Sequence, residues 1–270
     1  MIKVTAAENE MVAKYVYEKS GINLRDKGYL IESKIALECF TNHINSFEEY
    51  WQQISVHDST GQNLRQRLID ALTTNYSYFY REDDHFQLLE QYLAEGEIGD
   101  KAQEIRGWCA GCANGQEAYT LAMTMEDAHL TGSLKKPYKL WASDISQKAI
   151  QTATKGVYPM AEYVRLPANW RKAYMHLLPN GCEVRKNIKQ NLNFKQENIL
   201  LPDQTRGKFD YIFCRNVLIY FDEVTYKKLL KIFWDSLQPD GYLFLGHTEI
   251  FNKLAGFQLV KPAVYKKVSE

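Results

Sequence analysis

The chain has 270 residues, enough for one large domain or two smaller ones. Lys plus Arg and Asp plus Glu are equal at 33, which leaves no overall basic field of the kind that nucleic-acid binders carry, so no nucleic-acid partner is expected. No run approaches the ~18 apolar residues of a membrane span, and the N-terminus has early acids and no apolar core, so neither membrane insertion nor a secretion signal is expected and the cytoplasm is the expected location.

Residues 1–75 read as helices only. "ENEMVAKYVYEKSGINL" repeats apolar residues at helical spacing and stops at Gly21. "GYLIESKIALECFTNH" follows, then "SFEEYWQQIS", where Ser46 with Glu49 three residues on has the form of a capping box. "GQNLRQRLIDALTTN" is a further amphipathic run. Residues 76–104 read as a linker and covering segment, before the texture changes.

From about residue 104, strands and helices alternate. Strands are predicted at 105–111, 138–146, 191–200, 209–216 and 241–249, and helices at about 115–130, 146–154 and 222–238, with one or two final strands in "FQLVKPAVYKKV". This alternation predicts a parallel α/β sheet over 105–270, with ligands at the carboxyl ends of the strands. About 40 residues between the second helix and the third strand exceed an ordinary connection. Residues 158–190 are therefore read as a small inserted β-subdomain that includes a basic strand-like piece, "CEVRKNIKQ".

"CAGCANGQEAYTLAM" (109–123) has the form of a strand end, a glycine turn and a helix start. The spacing Gly111-x-x-x-Gly115 is neither the dinucleotide fingerprint nor a P-loop, whose Lys is absent. Glu117 just inside the helix would repel a pyrophosphate and suits a cationic ligand, while Asp144, ending the second strand, is placed to accept bonds from ribose hydroxyls. A ligand with an adenosine, an ammonium, a sulfonium and no phosphate, S-adenosylmethionine, fits that set. The alternatives are a first-turn acid at Glu117 and a helix cap at Asp144.

The five cysteines form an odd, scattered set that argues against a disulfide framework. Cys109 and Cys112 are a redox pair, half a zinc site, or two small residues packing a turn. No second C-x-x-C follows to complete four ligands, and no metal is expected.

The segments "TTNYSYFYRE" (73–82), "CAGCANGQEAYTLAM", "ASDIS" (142–146), "FDYIFCRNVLIYFD" (209–222) and "GYLFLGHTE" (241–249) resemble CheR-type chemotaxis receptor methyltransferases, in order and spacing, over roughly residues 10 to 268. The resemblance implies a Rossmann-like class I S-adenosylmethionine-dependent methyltransferase with an N-terminal all-helical domain. It implies methyl transfer to glutamates on the cytoplasmic helical domain of chemoreceptors, giving methyl esters in chemotaxis adaptation. It places Asn75, Ser77, Arg81, Gly111, Glu117, Asp144, Asn198, Ile199, Arg215 and Asn216 at the cofactor, with Asn198 and Ile199 near the adenine, and makes Arg81 and Tyr220 the catalytic candidates. Each of the last two has a plainer reading: an ion pair with Glu82 or Asp83 for Arg81, and a core aromatic for Tyr220.

The sequence also departs from the family. Ser77 stands where Thr is usual, and Gly115-Gln116-Glu117-Ala118-Tyr119 where Gly-Glu-Glu-Pro-Tyr is common. Residues 1–75 carry more acids than bases, leaving Arg25, Lys27 and Lys34 as a local basic patch for the acidic receptor. The insert loop "MHLLPNGCEV" is a few residues short beside members that grip a receptor's tethering pentapeptide, so this chain is expected to work without the tether. Rival functions are a module that binds S-adenosylmethionine without turnover, a methyltransferase of another substrate, and an NAD-dependent oxidoreductase, which the glycine spacing disfavours.

Overall fold

Helix starts in the first region are set by side-chain acceptors. The computed structural model describes residues 2–99, 102–251 and 254–268. Thr5 begins α1 (Ala6–Ser20) with a full capping box: its hydroxyl accepts from the Glu8 amide and the Glu8 carboxylate accepts from the Thr5 amide. α2 (Gly28–Thr41) starts at Lys27 without a side-chain cap. Ser46 caps α3 (Phe47–Ser55) and Asp58 caps α4 (Ser59–Leu72). At Ser46 the expected box is only half made, because the Glu49 carboxylate accepts from the Asn45 amide at 2.9 Å. Val12, Val16, Ile31, Ile35, Tyr50 and Leu68 close the core of this bundle.

The segment after it is more than a linker, since α5 (Asp84–Ala94) lies within it and puts Phe86 and Leu89 into the main core. The main sheet then alternates with helices: β1 (Ile105–Ala110), α6 (Gln116–Thr131), β2 (Tyr138–Asp144) and α7 (Gln147–Lys155). An insert follows with β3 (Val157–Tyr158), α8 (Met160–Tyr163), α9 (Ala168–Tyr174), β4 (Met175–Leu178), β5 (Gly181–Val184) and α10 (Lys186–Lys189). The chain returns through β6 (Leu192–Gln196), β7 (Phe209–Cys214), α11 (Glu223–Ser236), β8 (Leu237–Leu245), β9 (Phe257–Lys261) and β10 (Val264–Lys267).

The large sheet has the order β6-β2-β1-β7-β8-β10-β9, parallel from β6 to β8 and antiparallel at β10 and β9. Side chains along Tyr211–Cys214 alternate between two cores. Tyr211 and Phe213 join α5 and α6, while Ile212 and Cys214 join α11. Helices on both faces are what a parallel sheet requires.

The insert makes its own antiparallel sheet, β3-β5-β4, whose β4–β5 turn is only Pro179 and Asn180. The strand-like reading of "CEVRKNIKQ" is corrected here: the strand stops at Val184, and Lys186–Lys189 form a helical turn whose Ile188 reaches the core. Predicted strand ends also ran long. β2, β6 and β7 stop at Asp144, Gln196 and Cys214, and the residues beyond them are site loops.

Candidate active site

Each loop leaving a carboxyl end of β1, β2, β6 or β7 meets the C-terminal end of α1 and the 73–81 segment around one cavity of about 660 Å³. That volume suits a nucleoside-sized ligand. Asn75, Ser77, Arg81, Gly111, Glu117, Asp144, Asn198, Ile199, Arg215, Asn216 and Tyr220 all line it.

The glycine turn is shaped by close backbone approach. Gly111 has φ 79°, and a Cβ there would sit 2.6 Å from a methyl of Val217. The Gly111 and Cys112 amides both donate to the Ser143 carbonyl, at 2.8 and 2.9 Å, which ties the first two strand ends together. Ala113 takes φ 47° and donates its amide to Asp144 Oδ2 at 2.8 Å, and the Ser146 amide donates to Oδ1 at 2.9 Å. Asp144 is therefore not the helix cap; Ser146 is, accepting from the Ala149 amide at 3.1 Å. Burial pushes the Asp144 carboxyl up, and these two amides pull it part of the way back. Each oxygen keeps a lone pair for a further donor, as a ribose diol supplies.

Glu117 is in the first turn of α6, but that position does not exhaust its role. Its Oε2 lies 2.9 Å from Arg215 Nε, and its Oε1 accepts from the Cys109 thiol at 3.3 Å. Burial raises its carboxyl, against the pull of Arg215. Arg215 is fully buried. It donates Nη1 to the Glu82 carbonyl at 3.1 Å and Nη2 to the Arg81 carbonyl, so its fork is committed to protein groups.

Arg81 is held loosely by comparison. Its Nη1 reaches the Tyr76 carbonyl at 3.4 Å, its Nε is 4.0 Å from Glu82, and the guanidinium lies 5.7 Å from the Tyr78 ring centre. The plainer reading, a structural ion pair with Glu82, is thus a contact at the limit of distance, and the fork is able to take another carboxylate. Tyr220 is half-buried in a short turn, Leu218–Tyr220, and its carbonyl accepts from the Asn23 amide at 2.9 Å.

Asn75 donates to the Ser146 hydroxyl at 3.2 Å and accepts, through its carbonyl, from Asn114 at 2.9 Å. Asn198 lines the cavity, but its amide donates to the Lys19 carbonyl at 2.8 Å and its oxygen accepts from the Leu200 amide. Its side chain therefore ties the helical region to the sheet, and the buried Ile199 and the partly buried Ile145 give the cavity apolar wall beside it. Sequence reasoning missed the α1–α2 loop, where Ile22, Asn23, Leu24 and Lys27 also line the cavity. The bridge of Ile22 to Phe221 and the bond from the Asn23 amide to the Tyr220 carbonyl bring them there, and no local motif announces either. It also missed Glu249, which "GHTE" carries without a role, and gave Glu82 only as an ion-pair partner for Arg81.

Cys109 and Cys112 are free, buried thiols, and burial pushes both well above the ordinary thiol range, which disfavours a reactive thiolate. Among the described residues, the grouping with metal-ligand potential is Glu82, His85 and His247, which includes neither cysteine. Arg215 Nη1 lies 3.4 Å from His85 Nδ1, a cation where a metal ion would sit poorly.

S-adenosylmethionine fits what the residues offer: the buried Asp144 and the largely buried Glu117, a glycine turn without Lys or Arg, and a nucleoside-sized cavity. The family described as CheR methyltransferase, SAM binding domain, matches residues 75–265, and its all-alpha domain matches residues 7–73. The chemotaxis protein methyltransferase of Borreliella burgdorferi is 35% identical over 98% of this chain and 96% of its own. Chemotaxis protein methyltransferase 2 of Pseudomonas aeruginosa is 34% identical over 92% and 88%, and the Escherichia coli chemotaxis protein methyltransferase 31% over 94% and 87%. Matched along nearly its whole length, in the helical region and in the sheet, the chain belongs to the CheR methyltransferase family.

Proposed function

We propose that the protein transfers a methyl group from S-adenosylmethionine to glutamate side chains of chemoreceptors, forming glutamyl methyl esters. The observation that carries this is the meeting of eleven residues, scattered from Asn75 to Tyr220, around one cavity at the strand ends. Asp144 holds the ribose, Glu117 the cationic amino-acid end, and Ile199 packs on the base.

The bound cofactor supplies a methyl group on a positive sulfonium. The acceptor glutamate, with an ordinary pKa near ~4.3, is already ionised at neutral pH, so no general base is needed. Transfer neutralises both charges, so it is favoured where the cavity walls, the α1–α2 loop among them, displace the water that would favour the separated ions. The Arg81 fork holds one oxygen of the incoming carboxylate and aims the other, and orientation of this kind contributes up to ~7–11 kcal/mol in favourable cases. Tyr220 lines the same cavity, and in this reading its hydroxyl orients the acceptor.

The partner is the cytoplasmic helical domain of chemoreceptors, met by the patch of Arg25, Lys27 and Lys34, and the protein works in the cytoplasm. No helix among the described residues is long and apolar enough to cross a membrane. The two-residue β4–β5 turn supports independence from a tethering pentapeptide. A nanomolar-to-micromolar affinity for a receptor tail peptide ending in Trp-x-x-Phe would refute that part. The main reading is tested by incubating receptor membranes with the protein and S-adenosylmethionine and mapping receptor peptides by mass spectrometry. A gain of one methylene unit on glutamate is expected; modification confined to other residue types would overturn it.

A further inference from the structure

The carboxylate of Glu249 gathers four backbone amides. Its Oε2 accepts from Gly246 at 2.7 Å and Asn216 at 2.9 Å, and its Oε1 from Leu218 at 2.8 Å and Ile219 at 3.3 Å. The residue is 3% exposed. Three of the four donors belong to the loop after β7, and the fourth begins the loop after β8. The β7 loop carries Asn216, Val217, Ile219 and Tyr220 into the cavity wall.

Between β7 and its 3-10 turn at Leu218–Tyr220 this loop has no regular structure. Asn216 sits at φ 58°, outside the conformations an L-residue prefers, and only a short turn follows. The approach is also close: a Cβ on Gly246 would lie 2.8 Å from the Asn216 nitrogen. Glu82 braces the same loop from the other side, where its Oε1 accepts from the Asn216 amide group and its Oε2 from the His247 amide, each at 3.3 Å.

Burying a carboxylate is costly unless its hydrogen bonds are satisfied. Here three of the four partners are amides of the cavity-forming loop after β7, so the charge acts where the wall must keep one conformation. We propose that Glu249 is a positioning residue for methyl transfer: it fixes the Asn216–Tyr220 wall, and through it the placement of Tyr220 and of the cofactor against Val217. The transfer part of this rests on the reading above; the cofactor part does not.

The test compares Glu249→Gln, which keeps the shape but puts an NH2 against amide donors, with Glu249→Asp, which keeps the charge on a shorter arm. All measurements are made on full-length protein at a temperature where circular dichroism shows each variant folded. Affinity for S-adenosylhomocysteine is measured by calorimetry, and kcat and receptor KM by methyl transfer. For Glu249→Gln we expect kcat to fall roughly ten- to a hundredfold, the scale of a misplaced catalytic group. We also expect the product affinity to weaken about fivefold while receptor KM stays close to wild type, because the receptor surface is untouched. Glu249→Asp is expected to recover part of both losses. A folded Glu249→Gln with kcat and product affinity both within about twofold of wild type would overturn the proposal. If Glu249→Gln does not fold, Glu249→Asp carries the test, and the same twofold outcome overturns it. A wild-type protein that binds the product but methylates no receptor would sink the functional reading and leave the affinity arm standing, so the two failures are distinguishable.

Discussion

Arg215 Nε lies 2.9 Å from Glu117 Oε2 in a site where the arginine side chain is entirely shielded from solvent. The same guanidinium holds the carbonyls of Arg81 and Glu82 and lies 5.0 Å from the Phe86 ring centre. One buried cation thus connects the first turn of α6, the catalytic candidate Arg81 and the start of α5.

Replacing that cation with a neutral chain of similar reach leaves Glu117 buried without its partner. Arg215→Met is expected to lower unfolding stability by about 3–5 kcal/mol, the scale of breaking a buried pair from one side. Urea unfolding followed by circular dichroism measures it. A loss under about 1 kcal/mol would show that the pair does not hold the site together.

Arg81 predicts the opposite pattern. Its contacts within the protein are long, so Arg81→Ala is expected to change stability by no more than about 0.5 kcal/mol, as for a surface substitution. Turnover is expected to fall about a hundredfold or more, because the carboxylate is no longer aimed. Arg81→Lys keeps the charge but loses the fork, and is expected to remain well below wild type. Parallel melting curves and initial rates check both. A Lys variant as fast as wild type would leave only charge, and not geometry, to the residue.

Gly111 is required twice over, by its φ of 79° and by the Val217 methyl that a Cβ would meet at 2.6 Å. Gly111→Ala is expected to cost about 1–3 kcal/mol and to weaken cofactor binding, because the turn and the Val217 wall must separate. Thermal unfolding with and without S-adenosylhomocysteine reads both effects. An unchanged ligand-induced shift in Tm would contradict the close packing.

His85 gives a pH dependence with a definite sign. Burial, and then the adjacent Arg215, push its imidazole from 6.5 down to about 4. Between those values the unfolded chain binds a proton that the folded chain does not. This contribution to stability is therefore present above about pH 6.5 and lost as pH falls toward 4. Subtracting the stability of His85→Gln isolates it from the carboxylates. The wild-type advantage is expected to shrink by up to about 3 kcal/mol across that window. A difference that does not vary with pH would mean the imidazole titrates normally in the fold.

The parts of the fold that depend on local pattern were readable. Alternating strand-like and helical segments gave the parallel sheet, and the glycine turn with Glu117 and Asp144 pointed to the ligand class before any family likeness was invoked. What escaped depends on contacts distant in sequence. Asn198 carries nothing to show that its amide meets the Lys19 carbonyl, and Lys27 lines a cavity whose approach depends on the distant pairing of Ile22 with Phe221. α5 was hidden because its buried face, Phe86, Leu89 and Leu93, is short and follows an aromatic stretch that reads as loop. The predicted strands ran on past Gln196, Cys214 and Leu245, as far as Asn198, Asn216 and Glu249. The sequence pattern does not mark that boundary, and the site lies just past it.

The central claim, methyl transfer to receptor glutamates aimed by Arg81, is tested most directly with methyl-labelled S-adenosylmethionine. The purified protein and its Arg81→Ala variant are incubated with receptor-containing membranes, and base-labile label released as methanol is counted. The prediction is volatile label with the wild type and little with the variant. Wild-type protein that binds the cofactor yet releases no methanol label, or a variant that releases as much as wild type, would contradict it.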